Sequence, residues 1–281
     1  MSIMFLKVRS VSRGRGDSAV AKAAYISRSR LVDQRTGKAA DYRRVPGLQH
    51  SEILLPAGVG TKDAQWLLDR KELWNAAESA EPRRNARVGR EYTIALPHEL
   101  TPDVRRDLAR SYGQLIADRY GVVVDVAVHG PTQKGDPRNH HAHLLATTRE
   151  VDGHGFGRKA TIERSSTARH ALGLQHISQE FRELRAQWAQ RANERLREAG
   201  SEARLEHRSR RTIERERAAA IEPNFATPVI ATPSPAEPSM TMAQRAAANW
   251  RAYRQQREAT PAQARTRDHE RSRGADRGFE M

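Results

Sequence analysis

The fold is decided by the stretch Val122–Arg149, VVVDVAVHGPTQKGDPRNHHAHLLATTR. Val122–His129 is the strongest strand signal in the chain, because it is dominated by β-branched valines that suit a pleated surface. The loop Gly130–Asn139 is rich in Gly, Pro, Asp and Asn, and Ala142–Thr148 reads as the returning strand of a hairpin. Side chains alternate faces along a strand. Val124, Val126 and Val128 therefore share a face that is expected to be buried, while Asp125, Ala127 and His129 share the other. On the returning strand His141 and His143 point the same way, and His140 points to the opposite face or lies in the turn. The loop folds back to bring His143 beside His129, so three imidazoles can converge on one divalent cation.

The chain has no cysteine, which excludes disulfides, thiolate metal sites and cysteine nucleophiles. A structural zinc site wants a closed shell of four ligands. No fourth ligand is evident, so His129, His141 and His143 read as an open, catalytic metal site. Imidazole suits several divalent ions, and the metal stays open at this point. Asp125, on the same face, is a candidate to orient a ligand or steady a proton. The bland alternative is a carboxylate near a sheet edge without a role. A metal protein whose histidines are purely structural is a further alternative.

Working outward, Ile3–Val11 reads as a strand and Arg13–Gly16 as a basic turn. Asp17 or Ser18 can cap a helix over Ala19–Ile26. Asp33–Gly37 is a turn signal between short polar segments, and Ser51–Leu55 is a short apolar run ended by Pro56. Asp63–Ser79 has helical spacing, with Trp66, Leu67, Leu73 and Trp74 on one side. Arg90–Leu96 alternates as a strand. Thr101 and Pro102 open a helix that Gly121 ends. A long amphipathic helix is expected over about Gln175–Ala199, and a basic one over Leu205–Ala220. Helices alternate with an antiparallel hairpin, so the expected class is α+β, an antiparallel sheet with helices packed on it. The expected domains are 1–220, a Pro-rich linker over 221–239, and a short helix with a disordered basic tail over 240–281.

Of the 281 residues 37% are hydrophobic and 30% charged, and the formal net charge is +15. Arginines number 42 against seven lysines. Arginine makes forked, planar contacts with phosphate. Residues 1–50 hold 11 basic and three acidic residues, so the excess concentrates there and points to a polyanion partner. No apolar run approaches the ~20 residues that span a bilayer, so no membrane insertion is expected. Met1–Phe5 is not followed by the apolar segment of a signal peptide.

A histidine triad on adjacent strands, a basic N-terminal arm and Tyr25 on an early helix together suggest phosphodiester chemistry. Tyrosine can serve as a covalent nucleophile, and a cation can neutralise and polarise a phosphate. Several blocks then occur in a telling order: SRGRGDSAVAKAAYISRS (Ser12–Ser29), DQRTGKAADYRR (Asp33–Arg44), HSEILLP (His50–Pro56), LWNAAESAEPRRNARVGREYTIALPHEL (Leu73–Leu100), the histidine block, and LEHRS (Leu205–Ser209). In these blocks the first ~220 residues resemble the MobA/MobL family of plasmid mobilisation relaxases, the MobQ class of HUH endonucleases. One departure is His140, which stands where the family pattern has Pro.

The resemblance implies a cytoplasmic bacterial enzyme that nicks and reseals one strand at a plasmid transfer origin. Tyr25 matches the attacking tyrosine, and His129, His141 and His143 match the metal ligands, with Mg²⁺ or Mn²⁺ as the expected ion. Glu91, on the polar face of Arg90–Leu96, or Asp125 would assist deprotonation of Tyr25; a plain salt bridge is the alternative for Glu91. Arg9, Arg13, Arg15 and Lys22 are candidate phosphate contacts, which position a strand without reading it. Single-stranded origin DNA is the implied partner, with relaxosome accessory and coupling proteins beside it. A rolling-circle replication initiator shares the metal logic but usually places its tyrosine after the histidines. A non-catalytic relaxosome DNA-binding protein is the non-enzyme alternative.

Overall fold

The computed structural model describes residues 4–60, 64–133, 135–152, 154–208 and 212–214. In chain order the strands are β1 (Leu6–Ser12), β2 (Arg30–Asp33), β3 (Lys38–Asp41), β4 (Leu48–Leu54), β5 (Arg87–Ala95), β6 (Val124–His129), β7 (His141–Ala146), β8 (Arg149–Val151) and β9 (Phe156–Lys159). The α-helices are α1 (Ala19–Ser27), α2 (Gln65–Leu68), α3 (Arg70–Ser79), α4 (Pro102–Tyr120), α5 (Ser166–Ala171) and α6 (Ile177–Glu198). Five strands form one sheet in the order β1-β5-β7-β6-β4, and every pairing in it is antiparallel. This is the α+β arrangement expected from the Val122–Arg149 hairpin.

The strand alternation sorts the sheet into two faces. Val124, Val126, Val128, Ala142, Leu144, Tyr92 and Ile94 pack against α4 and, beyond it, α6. The opposite face meets α1 and α3, where Ala19, Val20, Ala23, Ala24, Leu73 and Trp74 are buried with Ala127 and Leu145. Every position of β6 is buried, because helices cover both of its faces. The helix ends follow local chemistry. The Ser18 side chain accepts from the Ala21 N–H, Thr101 accepts from the Val104 N–H with Pro102 next to it, and Gly121 closes α4 at φ 63°.

Two expectations are corrected, and the turn expected at Asp33–Gly37 gains its flanking strands. The helical run expected over Asp63–Ser79 is two helices among its described residues. Asp69 turns its own side chain onto the Glu72 N–H and starts α3 afresh, the first half of a capping box in Asp69-Arg-Lys-Glu72. The polar segments around Asp33–Gly37 are a β2–β3 hairpin, whose turn is held by the Asp33 carboxylate accepting from the Arg35 and Thr36 N–H groups. Leu205, expected to begin a basic helix, is instead non-helical and buried. Asn193 accepts from its N–H at 2.7 Å and donates to its carbonyl at 3.0 Å. Most of the 205–220 segment, the 221–239 linker and the 240–281 segment lie outside the described residues. Among the described residues no helix is long and apolar enough to cross a membrane.

Gly113 sets the distance between α4 and the sheet. A Cβ there would lie 2.9 Å from both Leu54 Cδ1 and Val126 Cγ2, and 3.0 Å from Leu144 Cδ2. Alanine would gain about 1 kcal/mol in helix propensity, against an overpacking cost of about 1–3 kcal/mol. Gly113→Ala is expected to lose about 1 kcal/mol net, measured by denaturant or thermal unfolding; an unchanged or raised midpoint would show that the interface relaxes freely.

Candidate metal and nucleophile site

The register of β6 on β7 builds the site. His129 pairs with His141 and Ala127 with His143, so all three imidazoles emerge on the α1 face of the sheet, with the small Ala127 between them. Their ring centroids are 5.4, 5.0 and 5.2 Å apart, and one ligand atom from each lies within 4.8 Å of the others. His129 is 1% exposed and His143 8%, while His141 is half-buried. His140 stands outside this cluster, at the end of the loop, where its carbonyl accepts from the Leu96 N–H.

Each ring is steadied through one nitrogen, and the second nitrogen of His129, Nδ1, also meets Arg28 Nη2 at 3.3 Å. His143 Nδ1 meets a Glu91 carboxylate oxygen at 2.8 Å, His141 Nδ1 meets the Asn139 carbonyl at 3.2 Å, and His129 Nε2 meets the Ile26 carbonyl at 2.6 Å. A carboxylate or carbonyl on the far nitrogen is the usual second layer around a metal-ligating imidazole. Burial pushes the His129 imidazole down to about 4, against the Ile26 hydrogen bond and helped by the charges of His143, Arg28 and His141. Burial also lowers His141. Burial thus favours the neutral, lone-pair-bearing form of His129 and His141, and a set of three converging imidazoles fits a divalent cation held by His129, His141 and His143.

Tyr25, half-buried on the last turn of α1, reaches the same place. Its ring lies 6.0 Å from that of His143 and 5.3 Å from that of Tyr42, edge-on in both cases. Two cations flank it, Lys22 Nζ at 5.2 Å and the Arg28 guanidinium carbon at 4.6 Å from the ring centre. Lys22 also pairs with Glu91 at 2.9 Å. Burial alone would raise the Glu91 carboxyl, but hydrogen bonds from His143 and Lys22 hold it below its ordinary value. Two clefts meet at Tyr25. One, of about 360 Å³, is lined by Arg9, Arg15, Ser18, Lys22 and Glu91; the other, of about 470 Å³, by Phe5, Thr93, Leu96, His98, His141 and His143.

The structure thus brings together Tyr25, Lys22, Glu91, His129, His141 and His143, with Arg9 and Arg15 on the rim. It places two further sequence candidates elsewhere. Asp125 is fully buried and spends both oxygens on α3, accepting from Arg70 at 2.8 and 2.9 Å and from the Trp74 indole at 3.0 Å. Arg13 donates to Glu78 at 2.8 Å and to the Glu81 carbonyl at 2.8 Å, a tie between the β1–α1 turn and the end of α3. Both are corrected on physical grounds, since neither side chain faces the histidines or an open cleft. Arg28 was missed. It follows α1 within an ordinary Ser-Arg-Ser-Arg run, and only the fold carries it back over the ring.

Residues 17–225 match the model of the MobA/MobL family. The mobilization protein MobL of Acidithiobacillus ferridurans is 35% identical over 239 residues, covering 77% of this chain and 61% of that protein. The conjugal transfer protein TraA of Agrobacterium fabrum (strain C58) is 30% identical over 224 residues, 74% of this chain and 20% of its own length. The chain therefore spans less than two thirds of these relatives. Among solved structures, one concerned with the molecular basis of vancomycin resistance transfer in Staphylococcus aureus is 29% identical with a TM-score of 0.62, covering 74% of this chain and all of that one.

Two outcomes are expected. His129→Ala, His141→Ala and His143→Ala should each weaken Mn²⁺ binding by at least about 100-fold, Glu91→Gln by about 10–100-fold, and His140→Ala by less than about threefold. Titration of the five purified variants reads this, and equal losses at His140 and His141 would refute the register. The second outcome concerns pH. Folded His129 titrates at about 4 and an unfolded histidine near ~6.5. Below ~6.5 the unfolded chain therefore takes a proton that the fold refuses, and His129 costs stability as pH falls until about 4. Chelator-treated protein should lose stability across this window, and a His129→Asn variant should show a shallower pH slope in urea unfolding.

Proposed function

Because the chain belongs to the MobA/MobL family, we propose that it is a relaxase, a metal-dependent DNA nicking and closing enzyme that initiates mobilisation from a plasmid transfer origin. The observation that carries this reading is the placement of Tyr25 against the His129–His141–His143 cluster where two clefts meet. The relatives named for mobilisation and conjugal transfer point the same way. A bacterial cytoplasmic location, single-stranded origin DNA as substrate, and relaxosome accessory and coupling proteins as partners belong to the same proposal. The activity is assigned to residues 1–220.

The chemistry is a transesterification. His129, His141 and His143 would hold a divalent ion, Mg²⁺ or Mn²⁺, which would supply positive charge to the scissile phosphate and polarise its oxygen. The Tyr25 hydroxyl attacks phosphorus, the bond from phosphorus to the 3′ oxygen breaks, and that oxygen leaves as a 3′-hydroxyl. The 5′ side remains as a phosphotyrosine. One phosphodiester replaces another, so the free 3′-hydroxyl can reverse the exchange without a nucleotide cofactor.

A tyrosine phenol has a reference pKa of ~10 and needs help to react as a phenolate near neutral pH. Lys22 places a positive charge beside the ring. Glu91 is already held anionic by Lys22 and His143, so it acts as a positioning residue that aims both of them and is a weak base. Arg9 and Arg15, on the rim of the smaller cleft, hold the strand through its phosphates.

The experiment is covalent capture of a labelled single-stranded oligonucleotide spanning the origin, read on a denaturing gel with Mg²⁺ or Mn²⁺. Tyr25→Phe should remove the adduct, a loss of at least about 10³-fold, and leave strand binding within about threefold. Wild-type protein that never forms an adduct, or an adduct that survives Tyr25→Phe, would overturn the assignment.

A further inference from the structure

Arg28 joins the nucleophile to the metal ligands, and no part of the proposed reaction yet uses it. It is the one non-glycine residue with positive φ among the described residues, at φ 52°. A left-handed backbone costs an ordinary residue roughly 1–2 kcal/mol, so something must hold it there. Its N–H closes α1 onto the Ala24 and Tyr25 carbonyls, and its guanidinium Nη1 donates to the Tyr25 carbonyl at 2.8 Å. The guanidinium lies over the Tyr25 ring, and Nη2 meets His129 Nδ1 at 3.3 Å.

His129 has only two nitrogens. Nε2 is engaged by the Ile26 carbonyl, so Nδ1 is the atom left for a cation. The same lone pair cannot accept from Arg28 and ligate a metal. Arg28 also has no carboxylate partner among the described residues, unlike Lys22, and its Nε is buried with no hydrogen-bond partner. An uncompensated guanidinium with a free donor beside a phosphate site is suited to forked recognition of phosphate oxygens.

We propose that Arg28 stands in for the divalent cation at His129 when the metal is absent, and turns to the DNA phosphate when the metal arrives. Arg28 thereby couples the two ligands. Metal binding costs the Arg28–His129 bond and places two positive centres side by side; a phosphate arriving with the metal repays both. Such coupling is reciprocal, so DNA tightens metal binding by the factor by which metal tightens DNA binding. This inference rests on the relaxase reading for its DNA half, while its metal half is tested without DNA.

The test is a Mn²⁺ titration, followed by the free-ion paramagnetic signal, in the Tyr25→Phe background so that the strand stays intact. R28Q is compared with Arg28, with and without the origin oligonucleotide. Without DNA, R28Q should bind Mn²⁺ roughly tenfold more tightly. The tightening that DNA confers should shrink by a similar factor. R28G, which accepts the left-handed backbone freely, carries the same comparison if R28Q fails to fold by thermal melting. Unchanged or weaker Mn²⁺ binding in the folded variant overturns the inference and leaves the nicking reading standing. Absence of Mn²⁺ binding with either side chain overturns the metal reading of the triad and this inference together.

Discussion

The antiparallel register between β6 and β7 is the constraint on which the site depends. With a side-chain period of two, a slip of β6 by one residue would turn His129 toward α4, away from His141 and His143 on β7, and bring Val124, Val126 and Val128 to the α1 side. The register is held by the buried face, where those valines pack with Ala142, Leu144 and Ala146. Core packing and ligand convergence are therefore one requirement, and no separate device is needed to aim the imidazoles. Ala127, small and fully buried between His129 and the strand interior, keeps the space beside them clear of bulk.

Around this register sits a layer of contacts drawn from three separate segments. Glu91 comes from β5, Asn139 from the hairpin loop, and Ile26 and Arg28 from the end of α1. Asp125 belongs to this account indirectly. By taking Arg70 and Trp74 it fastens α3 to the sheet, and α3 carries Glu78, which accepts from the Ala19 N–H at the start of α1. A residue four positions from His129 on the same strand face thus supports α1 from behind. Preorganised sites are generally held by such supporting contacts on rigid elements.

The sequence was most legible where a local rule and a global one coincide. The valine alternation and the His-x-His spacing fix β6, β7 and the three converging rings without outside help, and the caps at Ser18, Thr101 and Gly121 are side-chain chemistry within a few residues. Glu91 was within reach because its strand alternates cleanly. Asp125 and Arg13 were read onto the site because parity and charge say which side a residue takes, but not which distant partner claims it. Arg70 and Glu78 are 55 and 65 positions away, respectively. Arg28 was invisible for the same reason: its partners are a histidine 101 positions on and a ring brought close by the helix end. The break at Asp69 was a missed capping signal, legible in principle.

Helix α1 is tied at both ends to parts of the chain remote in sequence, by Glu78 at its start and by His129 at the Ile26 carbonyl near its end. It also presents a row of alanines, Ala19, Ala23 and Ala24, that let it lie close to its neighbours. A helix fastened at both ends is a rigid mount for the side chains it carries. Under the proposed reaction, the strand that meets Tyr25 does the bending, and the reorganisation cost of the encounter falls on the flexible polymer. An unpaired nucleic acid strand meets that demand easily, whereas a paired duplex would first have to open, so under that proposal the stiffness of a nine-residue helix acts as a filter for strand state.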